Sequence, residues 1–241
     1  MKLTVVGCSP AWPNPGGAQS GYLVEADGTL LLDCGAGVLA KLRLRESWPH
    51  VDSIVISHWH LDHWGDLVPW VWGSMFRLGG DGWRPELWLP PGGIELLGAF
   101  GDRMGTPRMF WNAFQLVEYA EGEPFETVAG LTVTATEVPH YTLQTFAFRV
   151  TNGDKTLAYS GDSAPTDILA EVARDADLFI CEATLVDGDS DGQPRGHLSA
   201  DEAIAAFEAS GAKRLLVTHR PDELDLPAGY ERAYDGLELE V

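Results

Sequence analysis

The sequence predicts an α/β fold, a layered sandwich in a single domain spanning residues 1–241. Three observations carry this. Strand-like runs fall into two groups, each interleaved with helix-like runs that can cover a sheet. The 241 residues are 45% apolar and 22% charged, enough to bury a core without disulfide or metal staples. No linker, low-complexity segment or run of 18 apolar residues interrupts the chain, which excludes disorder, coiled coil and a spanning helix.

The elements follow in order. Leu3–Cys8 reads as a strand and ends in the Pro/Gly-rich loop Ser9–Gly17. Gly21–Glu25 and Leu30–Asp33 read as a hairpin turned by Ala26-Asp27-Gly28. Val38–Glu46 reads as a short helix after Cys34-Gly35-Ala36-Gly37, and Ser53–Ser57 as a fully apolar strand. Trp64–Leu78 reads as an aromatic-rich helix. Strands are expected at Glu86–Pro90, Ala113–Tyr119, Leu131–Val138, Thr145–Thr151 and Thr156–Ser160. Then come a helix over Pro165–Ala173 with Pro165 near its first turn, a strand at Leu178–Cys181, and a helix over Ser199–Ser210. Ser199 and Glu202 supply a capping box for that helix. Arg214–Val217 is the last clear strand.

The chain carries a formal charge of −20. Residues 161–241 hold a local −13 and the rest −7, so no basic footprint for nucleic acid is visible. Cys8, Cys34 and Cys181 are too few and too scattered for a disulfide framework and read as buried, reduced thiols. With no signal-peptide h-region in MKLTVVGCSP, the expected location is the cytoplasm.

The strongest chemical signal is Ser57-His58-Trp59-His60-Leu61-Asp62-His63, directly after an apolar strand. Imidazole and carboxylate are ligands for zinc and its neighbours. On an extended segment His58 and His60 point the same way, and a helical turn then sends Asp62 and His63 to a second position. A run of polar residues in a surface loop is the bland alternative, but so many such groups at a strand mouth would be wasted unless something bound them. His140, Asp162 and His219 also end strand-like runs, with Gly161 permitting a sharp turn. Ligand sites form beyond strand ends in α/β sheets, so these residues can converge. His50, in Trp48-Pro49-His50, reads as an exposed loop residue.

Together His58-x-His60-x-Asp62-His63, His140, Asp162 and His219 strongly resemble the metallo-β-lactamase superfamily. Asp33 followed by Gly35 fits that family's first motif, where an aspartate supports the site. The resemblance implies a four-layer αββα sandwich of two mixed β-sheets flanked by helices, with a site for two divalent metal ions between the sheets. Zinc is the expected metal, with manganese and iron as alternatives. One ion would take His58, His60 and His140, the other Asp62, His63 and His219, and Asp162 would bridge them. No cysteine replaces Asp162, which argues against β-lactamase activity. The expected reaction is hydrolysis by a metal-bridging hydroxide. Asp62 would also orient the nucleophile.

Cys181-Glu182-Ala183-Thr184 and Gly196-His197-Leu198-Ser199 look like the Glu and His segments of the ribonuclease Z-like branch. Asp62, Glu182 and His197 are therefore the expected catalytic residues. A carboxylate raises the basicity of a bonded imidazole and fixes its tautomer, and His197 can then protonate a departing alkoxide. The bland readings are a strand-end acid and a helix-start histidine. That branch usually carries a long arm that grips transfer RNA, but Tyr141–Lys155 simply continues as strand-like sequence. The expected substrate is a small phosphodiester or cyclic nucleotide, and folded RNA is not expected as a partner. The alternatives are a lactone, thioester or sulfate-ester hydrolase, and a tRNA 3′-processing endonuclease without its usual arm. A non-enzymatic metal sensor is disfavoured because all seven ligand positions are filled. No membrane partner is expected.

Asp187-Gly188-Asp189-Ser190-Asp191-Gly192 looks like the start of a calcium loop, but its twelfth position is Leu198, so it reads as a solvated loop. The segment from Trp59 to Trp88 holds six tryptophans, readable as core, pocket wall or dimer interface. A homodimer is the assembly that the resemblance implies, with this segment as its support. Arg77, Arg84, Arg103 and Arg108 are candidate phosphate contacts, and Ser9–Gly17 and Gly92-Gly93 candidate site loops.

Overall fold

In a computed structural model describing residues 1–46, 48–76 and 82–241, the chain folds in two halves of similar plan. The first contains β1 (Lys2–Gly7), β2 (Gly21–Glu25), β3 (Thr29–Leu32), α1 (Val38–Arg45), β4 (Ser53–Val55), α2 (Leu61–Trp64), α3 (Leu67–Phe76), β5 (Glu86–Leu89), α4 (Gly93–Arg103), α5 (Met109–Ala113) and β6 (Gln115–Glu118). The second contains β7 (Phe125–Glu126), β8 (Thr132–Val138), β9 (Thr145–Thr151), β10 (Thr156–Tyr159), α6 (Ile168–Val172), β11 (Leu178–Glu182), α7 (Ala200–Ser210), β12 (Leu215–Thr218) and β13 (Glu231–Arg232). A last strand, β14 (Glu238–Glu240), returns to pair with β1.

The strands form two sheets, in the orders β14-β1-β2-β3-β4-β5-β6 and β13-β12-β11-β10-β9-β8-β7. Each sheet is mixed. β1, β2 and β3 pair antiparallel before β3 to β6 run parallel. The second sheet repeats this, antiparallel through β7–β10 and parallel through β10–β13.

Period-two alternation explains why the central strands are apolar throughout. Val55 of β4 and Ile180 of β11 face the core between the sheets, beside Leu30, Phe148 and Tyr159. Their neighbours face outward: Ile54 packs under the helices of the first half, and Phe179 and Cys181 under α6 and α7. Two sheets face to face with helices outside give the expected αββα sandwich.

Several boundaries differ from the sequence reading. The aromatic helix begins earlier, as α2, and restarts as α3 after Gly65-Asp66; its expected end at Leu78 lies outside the described residues. Pro165 stands ahead of its helix, which starts at Ile168. Helix α4 carries weak helix formers but has a use for one of them: a Cβ at Gly101 would come within 2.9 Å of the Thr106 carbonyl oxygen. The strands β7, β13 and β14 have two or three residues each, too few for a periodic signal. The capping box of α7 forms as expected, a feature worth about 1 kcal/mol. All three cysteines are buried and free. No described helix is long and apolar enough to cross a membrane.

Candidate metal centre

One rim of the sandwich collects the chemistry. β4 runs out toward Ser57–His63, β8 toward His140, β10 toward Asp162 and β12 toward His219, while β11 ends at Glu182. His60 is extended (φ −69°, ψ 139°) just before α2 begins. This change from extended to helical backbone turns His58 and His60 to one position and Asp62 and His63 to another.

The donor atoms form two groups sharing Asp162: one with His58, His60 and His140, the other with Asp62, His63 and His219. In the first, His60 Nδ1 lies 3.2 Å from His58 Nε2 and 2.9 Å from His140 Nε2, and His58 Nε2 is 3.9 Å from Asp162 Oδ2. In the second, Asp62 Oδ2 lies 3.1 Å from His219 Nε2 and 3.4 Å from His63 Nε2, which is 3.3 Å from Asp162 Oδ2. A tetrahedral ion with bonds of about 2.0–2.1 Å has donor–donor edges of about 3.4 Å, and these spacings bracket that value. His63 Nε2 and Asp162 Oδ1 are buried without a hydrogen-bond partner among the described residues. Buried polar atoms are rarely left so, and a cation satisfies both. The cluster fits divalent metal.

Outer partners set the tautomers. His58 Nδ1 lies 3.0 Å from Ser57 Oγ, His63 Nδ1 2.7 Å from Asp33 Oδ2, His140 Nδ1 2.6 Å from the Gly196 carbonyl and His219 Nδ1 2.8 Å from Thr184 Oγ1. Each Nδ1–H donates to oxygen, leaving the Nε2 lone pair for the site. Burial pulls the pKa values of His58, His60 and His140 down, so they stay neutral and able to ligate. For His63 burial acts the same way, but Asp162, Asp33 and Asp62 outweigh it and push the pKa well up. Burial also opposes ionisation of Asp62 and Asp162. The neighbouring His63 and His219 overcome it and hold both carboxyls below the usual range.

Glu182 and His197 meet beside this cluster. His197 Nδ1 donates to Glu182 Oε1 at 2.9 Å and lies 3.8 Å from Asp162 Oδ2. Glu182 is fully buried, and its oxygens also accept from the backbone N–H of Ser163 (3.1 Å) and Thr184 (3.0 Å) and from Thr184 Oγ1 (3.0 Å). Burial drags the His197 pKa down, but the Glu182 carboxylate overrides it and pushes it up to about 9.

Backbone strain concentrates here. Asp33 (φ 59°), Tyr141 (φ 49°) and His219 (φ 51°) are left-handed without being glycine. Gly35 explains the Asp-x-Gly pattern: a Cβ there would overlap the Asp62 carbonyl oxygen. At Gly161 (φ 57°) a Cβ would sit 2.7 Å from the Phe146 carbonyl oxygen, so Asp162 depends on a glycine before it.

A cavity of about 1020 Å³ opens over the cluster, lined by His60, Asp62, Asp162 and His197 among others. The Ser9–Gly17 loop contributes Ala11 and Trp12 to its wall, whereas neither Gly92 nor Gly93 lines it. Of the tryptophans, Trp59 lines the cavity, while Trp64 and Trp70 are core. Arg84, Arg103 and Arg108 do not line it; Arg84 instead donates to the Trp111 carbonyl, and Arg77 lies outside the described residues. His50 stays apart, stacked on Trp83 at 4.8 Å.

Sequence reasoning passed over three supports. Tyr159 donates to Asp33 Oδ2 at 2.8 Å; it stands three residues before Asp162, and only its position in Tyr159-Ser160-Gly161-Asp162 hinted at it. Thr184 links Glu182 to His219. Asp191, set aside with the acidic loop, accepts from the backbone N–H of Gly196 (2.8 Å) and His197 (3.2 Å).

Residues 29–220 match the family model described as a beta-lactamase superfamily domain. A probable metallo-hydrolase of Bacillus subtilis, YhfI, is 32% identical over 223 residues, covering 92% of this chain and 87% of that protein. The crystal structure of YhfI superposes with a TM-score of 0.85 at 26% identity over 99% of both chains. The short form of human tRNase Z has the same fold, with a TM-score of 0.77 at 21% identity over 100% of this chain and 99% of that one. Fold, metal-binding rim and matched family model agree: the chain belongs to the metallo-β-lactamase superfamily and is a metallo-hydrolase with ribonuclease Z relatives in sequence.

Proposed function

We propose that the chain is a phosphodiesterase that uses two divalent ions, zinc first, on a small phosphodiester or cyclic nucleotide. His58, His60 and His140 would hold one ion, Asp62, His63 and His219 the other, and Asp162 both. Bound there, the ions would polarise the phosphoryl oxygens and bring the acidity of water toward neutral pH.

The observation that carries the reading is the 2.9 Å contact between Glu182 and His197. With Nδ1 committed to Glu182, His197 presents Nε2 to the cavity, and a proton there can pass to a leaving oxygen. An alkoxide leaving group needs that proton; p-nitrophenolate does not. Asp62 lines the same cavity, where its carboxylate can orient the attacking water. Residues 141–155 form a turn and the single strand β9, with no arm for gripping a folded RNA. That favours a small substrate over the transfer RNA named for the human relative.

The test is hydrolysis of bis(p-nitrophenyl) phosphate by protein loaded in turn with zinc and manganese, beside a lactone, thioester and cephalosporin panel and a His63→Ala control. Metal-dependent turnover of the phosphodiester alone supports the reading. Turnover of a lactone or thioester with silence on the phosphodiester overturns it.

A further inference from the structure

The cavity over the metal cluster has an unusual wall for a site that handles phosphate. Four exposed large apolar side chains of the molecule converge on it: Trp12, Leu61, Tyr141 and Val186. They come from three separate loops and the start of α2, so no single amphipathic element accounts for them. Exposed apolar surface gathered in one concavity marks contact with a ligand that is itself apolar there.

The charges on the same wall are all of one sign. Beyond the metal-cluster residues and the Glu182-paired His197, the charged lining side chains are Asp191 and Glu223, and no described Lys or Arg lines the cavity. Asp191 accepts hydrogen bonds from Tyr141 and from the backbone N–H groups of Gly192, Gly196 and His197, none of them a cation. Glu223 is exposed and has no hydrogen-bond or ion-pair partner among the described residues. The basic side chains of this region are engaged elsewhere. Arg195 pairs with Glu202, Arg232 with Asp222, and Arg220 is buried against the carbonyls of Ala183, Leu185 and Asp225.

A phosphodiester anion would be met by cations only at the metal cluster and at His197 beside it. Any second phosphate on the substrate would have to lie along the wall, facing the unpartnered Glu223 carboxylate and apolar rings. We infer that the cavity is a charge filter: it takes phosphodiesters with one negative charge, at the scissile group, flanked by an uncharged apolar or aromatic portion, and it rejects those bearing a further phosphate. Glu223 is the specificity-determining residue of the filter. This rests on the phosphodiesterase reading above and names its substrate class. The whole-molecule charge of −20 acts in the same direction at longer range.

The experiment uses a matched pair of probes, p-nitrophenyl thymidine 5′-phosphate and the same diester carrying a 3′-phosphate. They share the scissile bond, leaving group and base and differ only in the added charge. Metal-loaded wild type should turn over the first with kcat/KM at least tenfold above the second. Glu223→Gln should narrow that ratio about twofold and Glu223→Lys about fivefold, the sizes expected for one rim charge in a solvent-rich setting. Raising the salt should narrow the ratio in wild type and leave it nearly flat in Glu223→Lys.

A second readout needs no turnover. Quenching of tryptophan fluorescence by thymidine 5′-phosphate and by thymidine 3′,5′-bisphosphate should rank their dissociation constants the same way, with the gap shrinking in Glu223→Lys. Equal handling of the two members of each pair, unchanged by either substitution, overturns the filter. If neither diester is hydrolysed, the phosphodiesterase reading fails by itself, and the fluorescence ranking still decides whether the wall discriminates by charge.

Discussion

The Asp33 carboxylate and the His63 imidazole meet at 2.7 Å in a pocket that solvent does not reach, and the same Oδ2 accepts from Tyr159 at 2.8 Å and from Ser57 Oγ at 2.8 Å. Asp33 Oδ1 takes the Ser57 N–H at 2.7 Å. One strained residue between β3 and α1 thus ties the start of the histidine segment, the end of β10 and a metal-facing imidazole together. The Tyr159 bond crosses between the sheets, so it couples the site to the stacking of the whole sandwich.

Asp33→Asn should therefore damage metal binding before it damages the fold. The amide presents an N–H to at least one donor, and His63 loses the acceptor that directs Nε2 into the site. Loss of such an outer partner typically costs 10–100-fold in metal affinity or activity. Metal content after dialysis against a weak chelator should fall, while circular dichroism stays native. Tyr159→Phe removes one of four donors and should cost about 1 kcal/mol of stability with a smaller loss of metal. Full metal retention by Asp33→Asn would show that His63 is held by packing alone.

Substitution of the Glu182–His197 pair should be read through the leaving group. His197→Ala is expected to cost about 10²–10⁴-fold in kcat on an alkyl phosphodiester and under tenfold on a p-nitrophenyl one. Glu182→Gln should reproduce that pattern in weaker form, because His197 keeps an acceptor without a charge. Equal losses on both substrates would remove the proton-donor role and leave the pair structural.

Gly35→Ala tests the close approach behind the site. The added Cβ meets the Asp62 backbone carbonyl, which cannot swing aside as a side-chain tip can. A destabilisation of about 1–3 kcal/mol is expected, read as a drop in thermal midpoint that added zinc only partly restores. An unchanged midpoint would mean that the 35–37 turn yields more easily than its contacts suggest.

How much of this could be read from the sequence depended on whether the signal was local. The histidine segment is legible because a strand and a helical turn, both short-range patterns, fix where His58, His60, Asp62 and His63 point. Glu182 and His197 were legible as a pair by resemblance, and they meet at 2.9 Å in the structure. Tyr159, Thr184 and Asp191 were not, because each acts through hydrogen bonds to residues far away in sequence or around a loop. The six-tryptophan segment divided between core and cavity for the same reason: half-burial at Trp59 and full burial at Trp70 are decided by what the rest of the chain packs against them.

At low pH the salt-linked carboxylate Asp177 should be visible. Hydrogen bonds from Lys213 (2.8 Å), the Thr156 N–H (2.9 Å) and Lys155 (3.3 Å) hold its pKa at about 2, below the ordinary 3.8. A depressed carboxyl stabilises the fold above its unfolded pKa and loses that contribution as pH falls through the folded one. The difference in thermal midpoint between wild type and Asp177→Asn should be constant above pH 5 and shrink between about pH 4 and pH 2. A gap that stays constant down to pH 2 would place the effect in packing instead.

Asp191 holds the segment that carries the proton donor. Its Oδ2 takes the N–H groups of Gly196 and His197, and its Oδ1 those of Gly192 (2.7 Å) and the Tyr141 hydroxyl (3.2 Å). The segment it grips does two jobs: the Gly196 carbonyl accepts from His140 Nδ1, and the His197 ring reaches Glu182. Gly196 has no room for a side chain, since a Cβ would enter the Tyr141 ring. Asp191→Ala frees the Gly196 and His197 N–H groups, along with that of Gly192, and lets this segment drift away from both partners. Even a 1 Å shift of a reacting group can cost about 10²-fold, so kcat on an alkyl phosphodiester should fall about that far, with KM little changed. Tyr141→Phe leaves the two segment bonds in place and should keep most of the activity. A fall in KM or a loss equal on good and poor leaving groups would instead mean that Asp191 acts on the substrate by its charge, not on His197 through the loop.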